Sequence, residues 1–255
     1  MVNEILSKLE KINFENKLEF IDDTHEYFIE DKKSKLTSVT TLLSEYFPFD
    51  ADKIAEFLAG RRFVSKEEIL DEWRERQEYG SFIHNTVEDY IKNKKPSNDS
   101  YEHIRHGIEF LNSIQESHEI IGSEIVVFNS EFNIAGTIDL IIKEKETGKI
   151  LTIDWKTGQK DIEKNDVWDY CKSPLNEIPN NKFYKYSMQL CMYNMILKET
   201  YGIDIWDSYI LHLRDDGENY DKHECINLDY EVELILREIK NKENKQEKKK
   251  ILNVG

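Results

Sequence analysis

The sequence predicts an α/β or α+β domain: a sheet with helices packed around it. Three observations carry this. Apolar residues recur at helical spacing through much of residues 51–115. Between residues 123 and 157 the pattern changes to runs rich in Ile, Val, Phe and Thr, joined by short turns. A long helical pattern over 181–200 then follows the sheet. Helices, a sheet and then a helix across it make a layered single domain.

The elements follow in order. The first twenty residues, "MVNEILSKLEKINFENKLEF", are amphipathic and charged and lack a signal peptide's apolar core. "HEYFIEDKKSKLTSVTTLL" reads as a strand at 27–29, a charged turn and a return strand at 36–39. A helix follows, with Ser38 or Thr40 as N-cap. Helical patterns cover 51–58, 66–79, 81–93 and 101–115, the last with Ile104, Ile108, Leu111 and Ile114 on one stripe. "KKPSNDS", residues 94–100, is a loop. "SEIVVFNS", "FNIAGTIDLIIKE" and "KILTIDWK" form a three-stranded antiparallel meander with a turn at Gly148. Residues 161–181 form a long loop containing Trp168 and Tyr170, and loops of that length are usually functional. After the helix at 181–200, "WDSYILHLR" and "HECINL" read as strands. Tyr230 opens a closing helix that frays into a Lys-rich tail. The chain divides into an N-terminal strand pair and helical region (1–79), a core (80–239) and the tail (240–255).

Bulk properties narrow the function. The chain has 255 residues, enough to bury a full core, with 39% hydrophobic and 34% charged residues. No apolar run approaches the ~20 residues that span a bilayer, so a cytoplasmic protein without a membrane partner is expected. Cys171, Cys191 and Cys225 are far apart and odd in number, which points to a reducing compartment. The net charge of −16 argues against a broad phosphate-binding surface. The charge is uneven, however: residues 1–150 carry 19 basic and 31 acidic groups, whereas residues 151–200 carry seven of each. A local basic groove is therefore compatible with the composition, and a metal-binding carboxylate cluster adds to the acidity.

"TIDWKTGQK", residues 152–160, concentrates the chemistry. Asp154 and Lys156 are two apart on a strand and so share a face. With the turn at Gly148, Asp139 of the preceding strand approaches Asp154. Two carboxylates in one place repel unless a cation lies between them, and Mg²⁺ takes oxygen ligands. An ammonium beside such a centre can steady a developing negative charge. The competing reading is a cross-strand salt bridge on a solvated face.

Three further features weigh against the salt bridge. In "YGSFIHNTVEDY", His84 and Glu88 are four apart on one helix face. Glu124 enters the strand before that of Asp139. In "YSMQLCMY", Gln189 and Tyr193 share a helix face. Each alone is ordinary: a surface histidine, an edge charge, an amphipathic helix.

Together and in this order, Gly80-x-x-x-His84, Glu124, Gly136-x-x-Asp139, Asp154-x-Lys156 and Gln189-x-x-x-Tyr193 resemble the RecB-like branch of the PD-(D/E)xK nuclease superfamily. The resemblance covers residues 80–193, about half the chain. "LTSVTTLLSEYFP" is also similar to the entry segment of phage nucleases and of the mitochondrial genome-maintenance exonuclease. The resemblance implies a restriction-endonuclease-like core and an exonuclease acting on single-stranded DNA or DNA ends in replication, recombination or repair. It implies Mg²⁺ or Mn²⁺ held by His84, Asp139, Asp154 and the Trp155 main-chain carbonyl. Lys156 becomes the catalytic lysine. Glu124 orients the metal, its water or the lysine, and Gln189 and Tyr193 contact the substrate backbone or brace the site. Glu88, Trp168 and Tyr170 are added as substrate contacts, the two aromatics by stacking bases. Some relatives carry a four-cysteine iron–sulphur cluster, and three scattered cysteines do not supply four ligands, so none is expected. Two other classes compete: a catalytically silent nucleic-acid-binding module on the same fold, and an acidic DNA mimic that binds proteins.

Overall fold

A computed structural model describes residues 2–21, 24–94, 100–158, 161–214 and 219–252, with side chains for all of these except 2, 3 and 246–252. Seven helices surround an eight-stranded mixed sheet among these residues. The chain opens with helix α1 (Val2–Glu15), then strands β1 (Glu19–Ile21), β2 (Glu26–Ile29) and β3 (Ser34–Ser38). Helices α2 (Val39–Tyr46), α3 (Ala51–Arg62), α4 (Lys66–Asn93) and α5 (Glu102–Ile114) follow. Strands β4 (His118–Asn129), β5 (Ile134–Glu144) and β6 (Ile150–Thr157) form the predicted antiparallel meander. Helix α6 (Lys182–Tyr201), strands β7 (Asp207–Leu213) and β8 (Asp221–Glu224), and helix α7 (Asp229–Leu252) complete the chain.

The strand that matters most is β5. It is buried almost throughout, as a central strand covered on both faces should be. One edge pairs along its length with β4. The other edge changes partner: Ile134 and Ala135 pair in parallel with β3, whereas Leu140 to Lys143 pair antiparallel with β6. Residues 136–139 therefore lie in a fork where β3 and β6 part. Beyond β6 the sheet continues through a parallel pairing with β7 and an antiparallel hairpin to β8.

Two apolar layers hold the sheet. One lies against α1, α2, α6 and α7 and includes Leu9, Leu43, Ile138, Met188, Ile196, Ile210 and Ile235. The other lies under α4 and α5 and includes Ile83, Val87, Ile104, Leu140, Ile153, Trp155 and Leu211. Helix α1 is pinned at its end: Asn13 donates to the Val126 carbonyl at 2.8 Å and accepts from the Tyr201 hydroxyl at 2.6 Å. A third, small cluster of Ala55, Ala59 and Ile69 joins α3 to the first half of α4.

The structure differs from the sequence expectation in three places besides the N-terminus, where β1 adds a third strand to the expected strand pair. First, the helical patterns at 66–79 and 81–93 are one 28-residue helix that runs through Gly80. A Cβ at Gly80 would lie 3.3 Å from Thr157 Oγ1, so this glycine serves a close approach of α4 to the end of β6. Second, the last strand lies at Asp221–Glu224, earlier than the apolar run "HECINL", because its pairing with Leu211 and His212 sets its place. Third, α7 continues as helix to Leu252. Its Lys240 pairs with Glu131, and Lys242 pairs with Glu45 and Glu238. Ser38 is the N-cap of α2, accepting from the Thr41 N–H at 3.1 Å. Most of the expected loop at 94–100 falls on residues 95–99, outside the described residues. Among the described residues, no helix is long and apolar enough to cross a membrane.

Candidate active site

The fork in β5 gathers the chemistry. The β5–β6 ladder ends at Leu140 and Ile153, so the next positions along it are Asp139 and Asp154. There the side chain takes over from the backbone: the Trp155 N–H donates to Asp139 Oδ2 at 2.7 Å. Asp139 and Asp154 are both buried. On the other side of β5, Ser123 pairs with Leu140 and Ile125 with Ile138, which leaves Glu124 opposite Asp139. Glu124 has φ +48°, a left-handed conformation that a non-glycine residue rarely adopts in a strand.

Helix α4 supplies the next group. His84 Nδ1 lies 3.6 Å from Asp139 Oδ2, and the ring makes a main-chain hydrogen bond to Trp155. His84, Glu124 and Asp139 each offer one ligand atom, all within 4.8 Å of one another. One turn further along α4, Glu88 lies close enough to raise the pKa of Glu124, and it pairs with Lys92 at 2.5 Å.

Asp154 faces two partners. Its Oδ1 accepts from Gln189 Nε2 at 3.0 Å, and that same amide donates to the Tyr193 hydroxyl at 3.3 Å. Its Oδ2 lies 2.6 Å from Lys156 Nζ. That contact is an ion pair off the hydrogen-bond direction, so the buried Oδ2 accepts no aligned hydrogen bond. The expected shared face of Asp154 and Lys156 is thus present, and the predicted Gln189–Tyr193 face of α6 reaches it. Tyr193 itself packs on Gly136, where a Cβ would come 2.4 Å from Tyr193 Cε1.

The electrostatics are those of a crowded acidic pocket. Burial raises Asp139 to about 6, against the opposing pull of Lys156 and the Trp155 hydrogen bond. Burial raises Asp154 to about 6 as well, again opposed by Lys156. Burial and the charges of Asp139, Glu88 and Asp154 push Glu124 up to about 8. Burial and then Lys156 depress His84 to about 4, which leaves the ring neutral. Burial alone would lower Lys156, but Asp154 and Asp139 overcome it and hold the ammonium above its ordinary value. This donor set suits a hard divalent cation: the close-set carboxylates of Glu124 and Asp139 with a neutral imidazole from His84. A cation there would stabilise the ionised carboxylates that burial disfavours.

A profile of the PD-(D/E)XK nuclease superfamily matches residues 102–252. The chain belongs to this superfamily. The nuclease match begins after α4, so it includes Glu124, Asp139, Asp154, Lys156, Gln189 and Tyr193 but not His84 and Glu88. No curated protein matches the chain. Among solved structures the chain is similar to the crystal structure of SSO0001, at 20% identity over 52% of this chain and 53% of that chain, with a TM-score of 0.30. It thus spans about half the length of that protein.

Trp168 and Tyr170 stand on the loop between β6 and α6, and are 90% and 53% exposed. The loop is fixed at several points. Lys172 N donates to the Tyr46 carbonyl at 2.9 Å, and Asn180 Nδ2 to the Pro48 carbonyl at 2.9 Å. Tyr170 forms an isolated bridge with Pro179. Neither aromatic enters the carboxylate cluster.

The sequence reading missed Tyr186 and Lys185. The Lys156 ammonium lies 4.7 Å from the centre of the Tyr186 ring, an attractive cation–π arrangement. Burial and then Lys156 lower the pKa of Lys185. The available signal was spacing: Tyr186, Gln189 and Tyr193 recur at three and four along α6.

Proposed function

We propose that this chain is a divalent-metal-dependent deoxyribonuclease, an exonuclease of RecB-like type acting on single-stranded DNA or DNA ends. The observation that carries the reading is the buried Asp139–Asp154 pair, with Lys156 held 2.6 Å from Asp154 Oδ2. His84, Glu124, Asp139 and Asp154, with the Trp155 carbonyl, are the groups to hold Mg²⁺ or Mn²⁺. When bound, such a metal polarises the phosphate and lowers the pKa of water.

The chain's own groups supply the rest. Hydrolysis joins a water oxygen to phosphorus, breaks the P–O ester bond and delivers a proton to the leaving oxygen. Lys156 keeps its positive charge at neutral pH and stands where negative charge grows on the phosphate. Gln189 fixes the rotamer of Asp154, and Tyr193 fixes Gln189. Glu124, pushed up to about 8, holds a proton at neutral pH in the metal-free protein and, ionised, would orient a cation or its water beside Asp139. Trp168 and Tyr170 offer exposed rings on which bases of a single strand stack. Lys156 and Lys185 give the overall acidic protein a local positive edge at the site. Cleavage from an end fits a place in replication, recombination or repair.

The test is a time course with end-labelled single-stranded and duplex DNA, with Mg²⁺, with Mn²⁺ and with chelator, beside the Asp154→Asn variant. Metal-dependent loss of the single-stranded label, abolished in the variant, is expected. Binding without cleavage in either metal sinks the nuclease reading and leaves the silent-module one. Internal cuts as the first products sink the exonuclease part alone.

A further inference from the structure

A second cluster of metal-ligating side chains lies one strand beyond Lys156 and shares no residue with the site above. In the β7–β8 hairpin, His212 pairs with Asp221 and Ile210 with His223. The register puts His212, Asp221 and His223 on one face of the sheet. One ligand atom from each lies within 4.8 Å of the others. His212 is 1% exposed.

The hydrogen bonds select one tautomer. His212 Nε2 lies 2.8 Å from the Gly158 carbonyl oxygen, which only accepts, so the ring donates there. A neutral ring that carries its proton on Nε2 has a lone pair on Nδ1. His212 Nδ1 is buried and has no hydrogen-bond partner. His223 Nε2 is likewise buried and without one. Two buried imidazole nitrogens left unpaired beside a carboxylate are costly unless something occupies the space between them. Metal-bound histidines commonly donate their other ring N–H to a main-chain carbonyl, which is what His212 does toward Gly158. The carboxylate is oriented too: Arg214 Nη1 lies 2.9 Å from Asp221 Oδ2 and 2.6 Å from Asp161 Oδ1.

We propose that His212, Asp221 and His223 bind a divalent transition metal of the zinc class at a site separate from the Asp139–Asp154 centre. Two nitrogens and one oxygen suit zinc, with a fourth position left for water. Ligand atoms ~2.0–2.1 Å from a tetrahedral zinc lie about 3.3–3.4 Å from one another. Small side-chain rotations close the present spacing to that range. The metal ties β8 to β7. Through His212 and Gly158 it also ties down the segment that leaves Lys156, the residue paired with His212 across β6 and β7. It is a clip on the strand that carries the lysine, not part of the reacting centre.

The experiment uses the chelator-stripped 255-residue chain in excess Mg²⁺, titrated calorimetrically with Zn²⁺, and with Co²⁺ followed by visible absorption. The unaltered protein, Asp154→Asn and His223→Gln are compared, with circular dichroism to check folding. One Zn²⁺ per chain, a raised Tm and an intense Co²⁺ spectrum are expected for the first two proteins. In His223→Gln the Zn²⁺ affinity falls roughly tenfold or more, with the fold intact. If His223→Gln misfolds, Asp221→Asn takes its place, with the same outcome expected. Zn²⁺ binding that survives His223→Gln but vanishes in Asp154→Asn overturns the proposal, because the ion then belongs to the other centre. No Zn²⁺ binding in excess Mg²⁺ also overturns it.

Discussion

Asp139 accepts the main-chain N–H of Trp155 at 2.7 Å, so a side chain on β5 completes the hydrogen bonding of β6 where the ladder stops. The same carboxylate oxygen lies 3.6 Å from His84 Nδ1. Structure and chemistry therefore depend on one group, and two substitutions separate them. Asp139→Ala removes the acceptor and leaves a buried N–H unpaired, at a cost of ~1–3 kcal/mol. Asp139→Asn keeps a side-chain carbonyl oxygen and loses little stability, or gains some by removing a buried charge. Both are expected to lose Mn²⁺ affinity and nearly all DNA cleavage. Urea unfolding, calorimetry and cleavage assays make the comparison, and native-rate cleavage by Asp139→Asn would falsify the role given to this carboxylate.

Gly136→Ala tests the path from Tyr193 to Asp154. The added methyl would sit 2.4 Å from Tyr193 Cε1 and push the ring away. Overpacking of this kind costs ~1–3 kcal/mol. The displaced Tyr193 hydroxyl no longer holds Gln189, whose amide sets the position of Asp154. Thermal unfolding should show the lost stability, and single-turnover cleavage should fall with it. Adding Tyr193→Leu relieves the clash and restores part of the stability but not the cleavage. If cleavage follows stability in both proteins, the Tyr193–Gln189 chain does not position the site.

Metal-free stability should fall as pH rises. Asp139 and Asp154 sit at about 6 against an ordinary 3.8, and Glu124 at about 8 against 4.5. Between the ordinary and raised values the folded protein holds protons that the unfolded chain has released. Stability is then lost as pH rises through that window. His84, at about 4 against 6.5, works in the opposite direction between those values, one group against three carboxylates. The metal-free urea midpoint should therefore decline from pH 5 to 8, less steeply in Asp154→Asn. Saturating Mn²⁺ should flatten the decline, since a bound cation compensates the ionised carboxylates. Equal slopes with and without Mn²⁺ would show that these groups are not where the ion binds.

Local pattern makes much of this legible in the sequence. Alternation and the turn at Gly148 fix the β5–β6 register, and the register brings Asp139 to Asp154. Helical spacing of four places His84 with Glu88 and Gln189 with Tyr193. What stayed hidden depends on contacts between distant segments. Gly80 looks like a break because glycine disfavours helix by ~1 kcal/mol, yet α4 passes through it where Thr157 approaches. The parallel pairing of β3 with β5 joins segments about a hundred residues apart, and neither strand signals it. The left-handed Glu124 has no sequence mark, since asparagine or glycine is the usual signal for that conformation. Strand β8 carries charged residues and is placed by its neighbour rather than by its own apolar run.

Lys156 gives the sharpest test of the chemistry. Its ammonium lies 2.6 Å from Asp154 Oδ2 and 4.7 Å from the Tyr186 ring centre, in a site that raises its pKa. In the metal-free protein it is therefore a charged ammonium at neutral pH. On the proposed reading its contribution is a fixed positive charge at short range, aimed at charge that develops on the phosphate. None of this requires Lys156 to hold the metal. Lys156→Ala should keep Mn²⁺ affinity or raise it, because a repelling cation has gone from beside Asp154. Turnover should still fall by ~10²-fold or more, the scale of losing one such donor. Lys156→Arg separates charge from shape: it keeps the charge but brings a larger planar group into a space cut for an ammonium, and should recover only part of the loss. A purely structural ion pair predicts otherwise, with lower stability in Lys156→Ala and nearly normal cleavage. Mn²⁺ calorimetry beside single-turnover cleavage decides between them: lost metal binding in a folded Lys156→Ala would make the lysine a support for the carboxylates, and normal turnover would remove it from the chemistry altogether.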